Sequence, residues 1–182
     1  MWEDTIKYKD IQIDGYLKNI FNKNNNIIFS KNYIIKEIST TDAKKFINTY
    51  NINEYKKSNI KIGIFIKSEL IYVMTFNKFK DNFIINQFVN KYDFNIINCI
   101  ENILSFSKKL LNTNIYLKSN NELIEDIYFK NINKTFIKNL NINYTIYNYK
   151  LSKFRLNKNI NTNLSLFKCY DAGYKLYKIN IN

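Results

Sequence analysis

The sequence contains no histidine. Imidazole is the side chain that takes and returns a proton near neutrality, so Ser-His-Asp and Cys-His nucleophile systems, histidine general bases and histidine-ligated zinc are all excluded. Proline is absent too, and glycine occurs only at Gly15, Gly63 and Gly173. No glycine-rich phosphate cradle of the P-loop or dinucleotide type can be written from so few. Cysteine is limited to Cys99 and Cys169, far apart, without CxxC spacing and with no secretory signal before them. Both are read as reduced, buried thiols of a cytoplasmic protein. No apolar run approaches the roughly 18 to 20 residues that a membrane-spanning helix needs, so no membrane partner is expected. Arginine is reduced to Arg155, and lysine in its place supplies a point charge without the planar fork that reads bases or grips phosphate bidentately.

What is present is a core and a charge. The 182 residues are 46% hydrophobic and 16% aromatic, enough to bury one domain and too apolar for a disordered chain. The net charge of +13 attracts phosphate backbones, anionic lipid heads or acidic protein faces without choosing among them. Asn, Ile and Lys make up about half the chain, the composition that a very AT-rich genome writes. Part of the positive charge is therefore codon drift.

Residues 1–26 carry scattered anchors (Trp2, Ile6, Ile13, Leu17, Ile20) and end in the polar tract Asn22-Lys23-Asn24-Asn25-Asn26, which reads as an appendage and linker before a single domain over 27–182. Tyr33–Ile38 reads as a strand. Ser39-Thr40-Thr41-Asp42 is good capping material for a helix from about Asp42 to Tyr50, with Ala43, Phe46, Ile47 and Tyr50 on one face. Ile60, Ile62, Ile64 and Ile66 alternate with Lys61, Gly63, Phe65 and Lys67, a period of two that turns at Lys67-Ser68-Glu69 into Leu70–Phe76. A third strand, Phe83–Val89, follows a turn at Lys80-Asp81-Asn82 and completes a meander. Apolar spacing predicts the longest helix over Ile96–Leu111, with Lys108 and Lys109 at its C-terminal end. A strand at Ile115–Leu117, a helix at Glu122–Phe129, extended segments at Thr135–Ile137 and Ile142–Tyr149, and a terminal hairpin Leu166–Tyr170 / Tyr174–Ile179 around Asp171-Ala172-Gly173 follow.

This order, a meander feeding a long helix and a further βαβ, resembles the GNAT superfamily of N-acetyltransferases. The resemblance implies an α+β fold with a mixed, mostly antiparallel sheet and helices packed on its faces. More local stretches, Ile27–Ser39, Ala43–Ile52, Ile62–Phe76 and Tyr170–Tyr177, resemble the GNAT-like domain that follows the nuclease domain in phage homing-endonuclease-like proteins, over roughly residues 27 to 179. In that domain a Gly-Gly pair precedes the long helix, and in the superfamily this turn holds the pyrophosphate of the cofactor on backbone amides. Here the place is taken by Asn98-Cys99, with Glu101 close behind to repel a phosphate. The resemblance therefore implies a degenerate cofactor loop and no bound cofactor. Lys118-Ser119-Asn120-Asn121 stands where the phage domain has an Asp-Arg-Arg-Trp-type segment, and residues 1–26 are too few for a nuclease domain, so a free-standing accessory module is expected.

Two clusters mix lysine with aromatics as a nucleic-acid face does, cations for phosphates and rings for bases. One is Lys7-Tyr8-Lys9 with Lys18 and Lys23; the other is Tyr147, Tyr149, Lys150, Lys153, Phe154, Arg155 and Lys158. Glu122, Glu125 and Asp126 fall within about one helical turn, as solubilising surface charges do, and no metal is assigned to them. Asp171 and Gly173 suit a hairpin turn. The function expected from these features is a non-catalytic basic protein of phage or mobile-element origin that binds DNA, RNA or a nucleoprotein complex, with residues 147–158 as its face and no catalytic residue. Two alternatives stand beside it: an inhibitor of a host defence nuclease, such as an anti-CRISPR protein acting on an RNA-guided effector, and a divergent acetyl-coenzyme A-dependent N-acetyltransferase whose tyrosines and bound water handle protons.

Overall fold

The computed structural model describes residues 12–14, 17, 26–28, 33–51, 53–92, 94–96, 98–120, 129, 132–140, 143–146, 149–152, 169–170 and 174–181. Its main element is a seven-stranded, mostly antiparallel sheet in the order β2 (Ile34–Glu37), β3 (Ile60–Ile66), β4 (Glu69–Phe79), β5 (Asn82–Asn90), β7 (Ile115–Asn120), β12 (Tyr174–Ile179), β8 (Lys134–Leu140). With the helices α1 (Thr40–Tyr50) and α2 (Cys99–Leu111), this is the expected α+β class. The chain divides into two compact units, residues 1–116 with 181–182, and residues 117–180.

In the first unit β4 is the organising strand. Ile71 through Phe76 are all buried, so both faces of β4 are covered, whereas an exposed strand would alternate. Neighbouring residues of a strand point to opposite faces, and the packing follows that rule. Val73 joins Val89 of β5 and Ala43, Phe46 and Ile47 of α1 in one cluster, with Ile38, Tyr50, Tyr55 and Leu70 at its border. Tyr72, on the other face, bonds to Cys99 at the start of α2. The two helices therefore cover opposite faces of the sheet.

α1 starts where the sequence places its cap. Ser39 Oγ accepts the Asp42 N–H at 3.0 Å and donates to the Asp42 carboxylate at 2.8 Å, a reciprocal clasp that satisfies an orphan donor of the first turn. The β3–β4 hairpin turns through Lys67 and Ser68, both at positive φ (46° and 72°), the conformation of a tight two-residue loop made here without glycine. β6 (Phe94–Ile96) pairs in parallel with β1 (Asn26–Ile28), so the polar tract read as a linker ends in a strand at Asn26. The same pairing corrects the start of the long helix. Ile96 is extended, and the left-handed Asn98 delays α2 to Cys99.

In the second unit β8 and β12 pair antiparallel with a register shift at Leu176/Tyr177, and the Lys118 ammonium sits 3.7 Å from the centroid of the Tyr174 ring. A separate three-stranded sheet runs β10 (Tyr149–Ser152), β9 (Asn143–Ile146), β11 (Cys169–Tyr170). Two sequence expectations change here. The segment Ile142–Tyr149 is broken into β9 and the start of β10, which pair with each other. Among the described residues the expected terminal hairpin is replaced by other pairings, β11 with β9 and β12 with β8. The helix expected at Glu122–Phe129 lies outside the described residues except for Phe129, which is buried.

Gly63 has a packing reason. A Cβ there would meet Leu70 Cδ1 at 2.6 Å and Ile38 Cγ2 at 2.8 Å. Both are side-chain ends that can move partway, so Gly63→Ala is expected to destabilise by about 1 kcal/mol, measured by urea denaturation, although alanine would ordinarily favour an ordered strand.

Candidate functional site

The strongest irregularity of the sheet is in β5. Within the first unit it pairs with β4 along its length and with β7 at Phe83↔Ile115 and Ile84↔Tyr116, an attachment fastened by Asn82 Oδ1, which accepts from the Asn114 N–H and Nδ2 at 3.2 Å each. Just beyond, the register on β4 jumps from Phe76↔Ile85 to Thr75↔Gln87, leaving Asn86 as a bulge. A bulge bends and twists its strand.

The segment after β5 is tied down. The Lys91 N–H donates to Ile71 O at 2.8 Å, its ammonium pairs with Glu69 and lies 5.3 Å from the Phe94 ring centroid. Tyr92 Oη donates to Thr49 O at 3.4 Å, and its ring stands edge-on to Tyr50. α2 then opens at Asn98, at φ 58° and ψ 14°, with no capping bond from its side chain. Glycine favours this left-handed region and asparagine is among the few other residues that enter it readily. The first turn, Cys99, Ile100 and Glu101, thus offers backbone N–H groups and the positive end of the helix dipole to an anion. Glu101 is exposed in that same turn and opposes the anion.

Behind this turn is a partly buried polar cluster. Cys99 is 2% exposed, and burial pushes its thiol up from 9.0 to about 12 while the Tyr72 hydrogen bond pulls the other way. Asn102 Nδ2 donates to Tyr33 Oη at 2.6 Å. Burial raises the Tyr33 hydroxyl above its ordinary value, Asn102 partly offsets this, and the neighbouring Cys99 adds to the rise. Burial likewise raises Tyr92, with Tyr50 adding to the effect. All three groups therefore hold their protons at neutral pH.

The residues expected from sequence fall unevenly. Asn98 and Cys99 form the N-terminal turn of α2, and Asn98 keeps the conformation that a glycine would supply. Of the basic cluster, Tyr149 and Lys150 lie in β10, in register with Ile146 and Thr145. Tyr147, Lys153, Phe154, Arg155 and Lys158 lie outside the described residues, as do the first cluster, Glu122, Glu125, Asp126, Asp171 and Gly173. Among the described residues no group of three or more Cys, Asp or Glu gathers as metal ligands do, and no helix is long and apolar enough to cross a membrane. Tyr33, Asn102, Thr75 and Gln87 were not singled out. Their one sequence signal is the adjacent polar pair Asn86-Gln87, which interrupts the apolar run of the third strand.

No protein-family profile and no curated protein matches the sequence. Solved structures do. A Bacillus anthracis protein assigned as a streptothricin acetyltransferase, in complex with acetyl coenzyme A, superposes with a TM-score of 0.52 at 11% identity over 84% of this chain and 100% of its own. The ribosomal-protein-S18-alanine N-acetyltransferase of Escherichia coli gives 0.53 at 8% identity, over 82% and 94%. Arabidopsis thaliana Naa50, in complex with a coenzyme A-linked bisubstrate analogue, gives 0.50 at 10%, over 80% and 97%. The chain is similar to these GNAT acetyltransferases in fold and carries a GNAT-like domain.

This likeness corrects the expectation of a non-catalytic nucleic-acid-binding protein. The neighbours are acetyltransferases, and two of them hold coenzyme A derivatives, so the findings favour the acetyltransferase alternative. Net charge misled because it reports codon composition as much as ligand.

The Cys99 thiol yields a signed prediction. Its folded pKa exceeds the unfolded value, so its contribution to stability is whole below about pH 9 and is lost as pH climbs toward 12. Denaturation curves from pH 8 to 11 should show a smaller loss of stability in Cys99→Ala than in the wild type. Iodoacetamide at pH 8, read by peptide mass, should leave Cys99 unmodified until denaturant is added.

Proposed function

We propose that the protein is an acyl-coenzyme A-dependent N-acyltransferase. The observation that carries this reading is a helix that, after the bulged strand β5, opens on a left-handed residue and leaves its first-turn amides without a side-chain cap. The GNAT-like fold supports it. So does Asn98, which stands in the left-handed conformation that glycine favours.

The residues present fit acyl-coenzyme A. A pyrophosphate is a compact dianion, and the backbone amides of Cys99, Ile100 and Glu101 are the groups that would hold it. The Cys99 side chain does not obstruct it, being withdrawn into the core toward Tyr72. When bound, the cofactor supplies an activated thioester that an amine attacks. Tyr33 accepts a hydrogen bond from Asn102 and keeps its own proton at Oη, available to an acceptor nearby. With no histidine in the chain, the proton of the attacking amine leaves to water.

Titration calorimetry with acetyl coenzyme A is expected to show one site per chain, and no heat at millimolar cofactor would overturn the reading. Glu101 supplies a second test, because it opposes a phosphate but complements the helix dipole. Glu101→Gln should tighten cofactor binding about two- to threefold at low salt and lower stability by about 0.5 kcal/mol, opposite signs that calorimetry and thermal melts read separately.

A further inference from the structure

Between Lys91 and Lys108 the sequence carries no lysine or arginine, although the whole chain has 28 basic residues. The first turn of α2 falls inside this gap, and its one charged side chain is the acidic Glu101. Within this stretch an anion meets neutral donors only. Beside the first-turn amides stands one more such donor, supplied from the approach to β2. Asn102 is a single turn into the helix, its N–H donating to Asn98 O at 3.2 Å. Helical side chains lean toward the N-terminus, so its carboxamide reaches back toward the Asn98-Cys99 turn, where Nδ2 donates to Tyr33 Oη at 2.6 Å. The bond occupies a lone pair of the Tyr33 oxygen, and among the described residues nothing accepts the Tyr33 proton. This half-buried hydroxyl stays protonated at neutral pH, a donor held in place by its neighbour.

We infer that the Tyr33 hydroxyl is a side-chain ligand of the cofactor's pyrophosphate, donating to it beside the amides of Cys99, Ile100 and Glu101, with Asn102 as the residue that positions it. The inference rests on the acyltransferase reading and adds a side-chain donor to its backbone cradle. A phenol suits the task. An O–H donor to a charged oxygen forms a short, charge-assisted bond, and a neutral group escapes the desolvation cost that a partly buried ammonium would carry. Asn102 does not touch the anion. It holds the Tyr33 oxygen so that the remaining proton is directed to another acceptor.

The test compares the wild type with Tyr33→Phe, which keeps the ring and removes the hydroxyl, and with Asn102→Ala, which keeps the hydroxyl and removes its guide. Calorimetry with acetyl coenzyme A and with inorganic pyrophosphate is run where thermal melts show each variant folded, together with ultraviolet difference spectra on adding pyrophosphate. Tyr33→Phe should bind both ligands about tenfold more weakly, as loss of one hydrogen bond to a charged group implies, and Asn102→Ala about threefold. Pyrophosphate should move one tyrosine of the wild type to longer wavelength, the mark of a phenol donating to an anion, and Tyr33→Phe should lack that shift. A folded Tyr33→Phe that binds as wild type overturns the inference and leaves the acyltransferase reading standing. Weaker binding without a spectral shift in the wild type marks a structural role and overturns it too. So does a wild type that binds acetyl coenzyme A but not millimolar pyrophosphate. If Tyr33→Phe does not fold, Asn102→Ala binding both ligands as wild type overturns it equally. Absence of acetyl coenzyme A binding by the wild type overturns the reading and the inference together.

Discussion

The constraint on which the first unit depends is that β4 has no exposed face over Ile71–Phe76. A strand apolar on both sides folds only if something covers each side, and the two helices are the covers. α1 settles on the Val73 face through Ala43, Phe46 and Ile47, and α2 settles on the Tyr72 face through Cys99. Seating α2 this way fixes where its N-terminus emerges, at the end of the segment leaving β5. The candidate site is thus a consequence of core packing, with the anion-facing turn placed by burial of the residue next to Asn98.

Much of this was legible. Period-two alternation in Ile60–Ile66 and the cap at Ser39 gave β3 and α1 because local chemistry determines both. The GNAT-like class followed from element order and local resemblance, and solved structures of that fold superpose on the chain. The failures share a cause, which is that they depend on partners distant in sequence. Ile96 fits the helical spacing but is drawn into a strand by its pairing with Ile28, and Cys169-Tyr170 pairs with β9. The Tyr33–Asn102 bond joins residues 69 apart, beyond the reach of any local pattern.

The site itself was partly legible and wrongly weighed. Asn98-Cys99 forms the N-terminal turn of α2, where Asn98 takes a left-handed conformation without glycine, a feature that the residue types alone did not announce. A backbone conformation, not a residue type, is what an anion meets, and asparagine reaches the same region of φ and ψ. Charge was weighed too heavily, because many lysines in an AT-rich chain mark composition before they mark a partner.

The lack of histidine, together with upward-shifted Cys99, Tyr33 and Tyr92, gives the described first unit few groups that change charge near neutrality. Those three groups keep their protons through neutrality and add no change of charge there. On the acyltransferase reading proposed above, a rate that rises near neutrality would report the acceptor amine and not these three groups, and the inflection of the profile would read the substrate's own basicity.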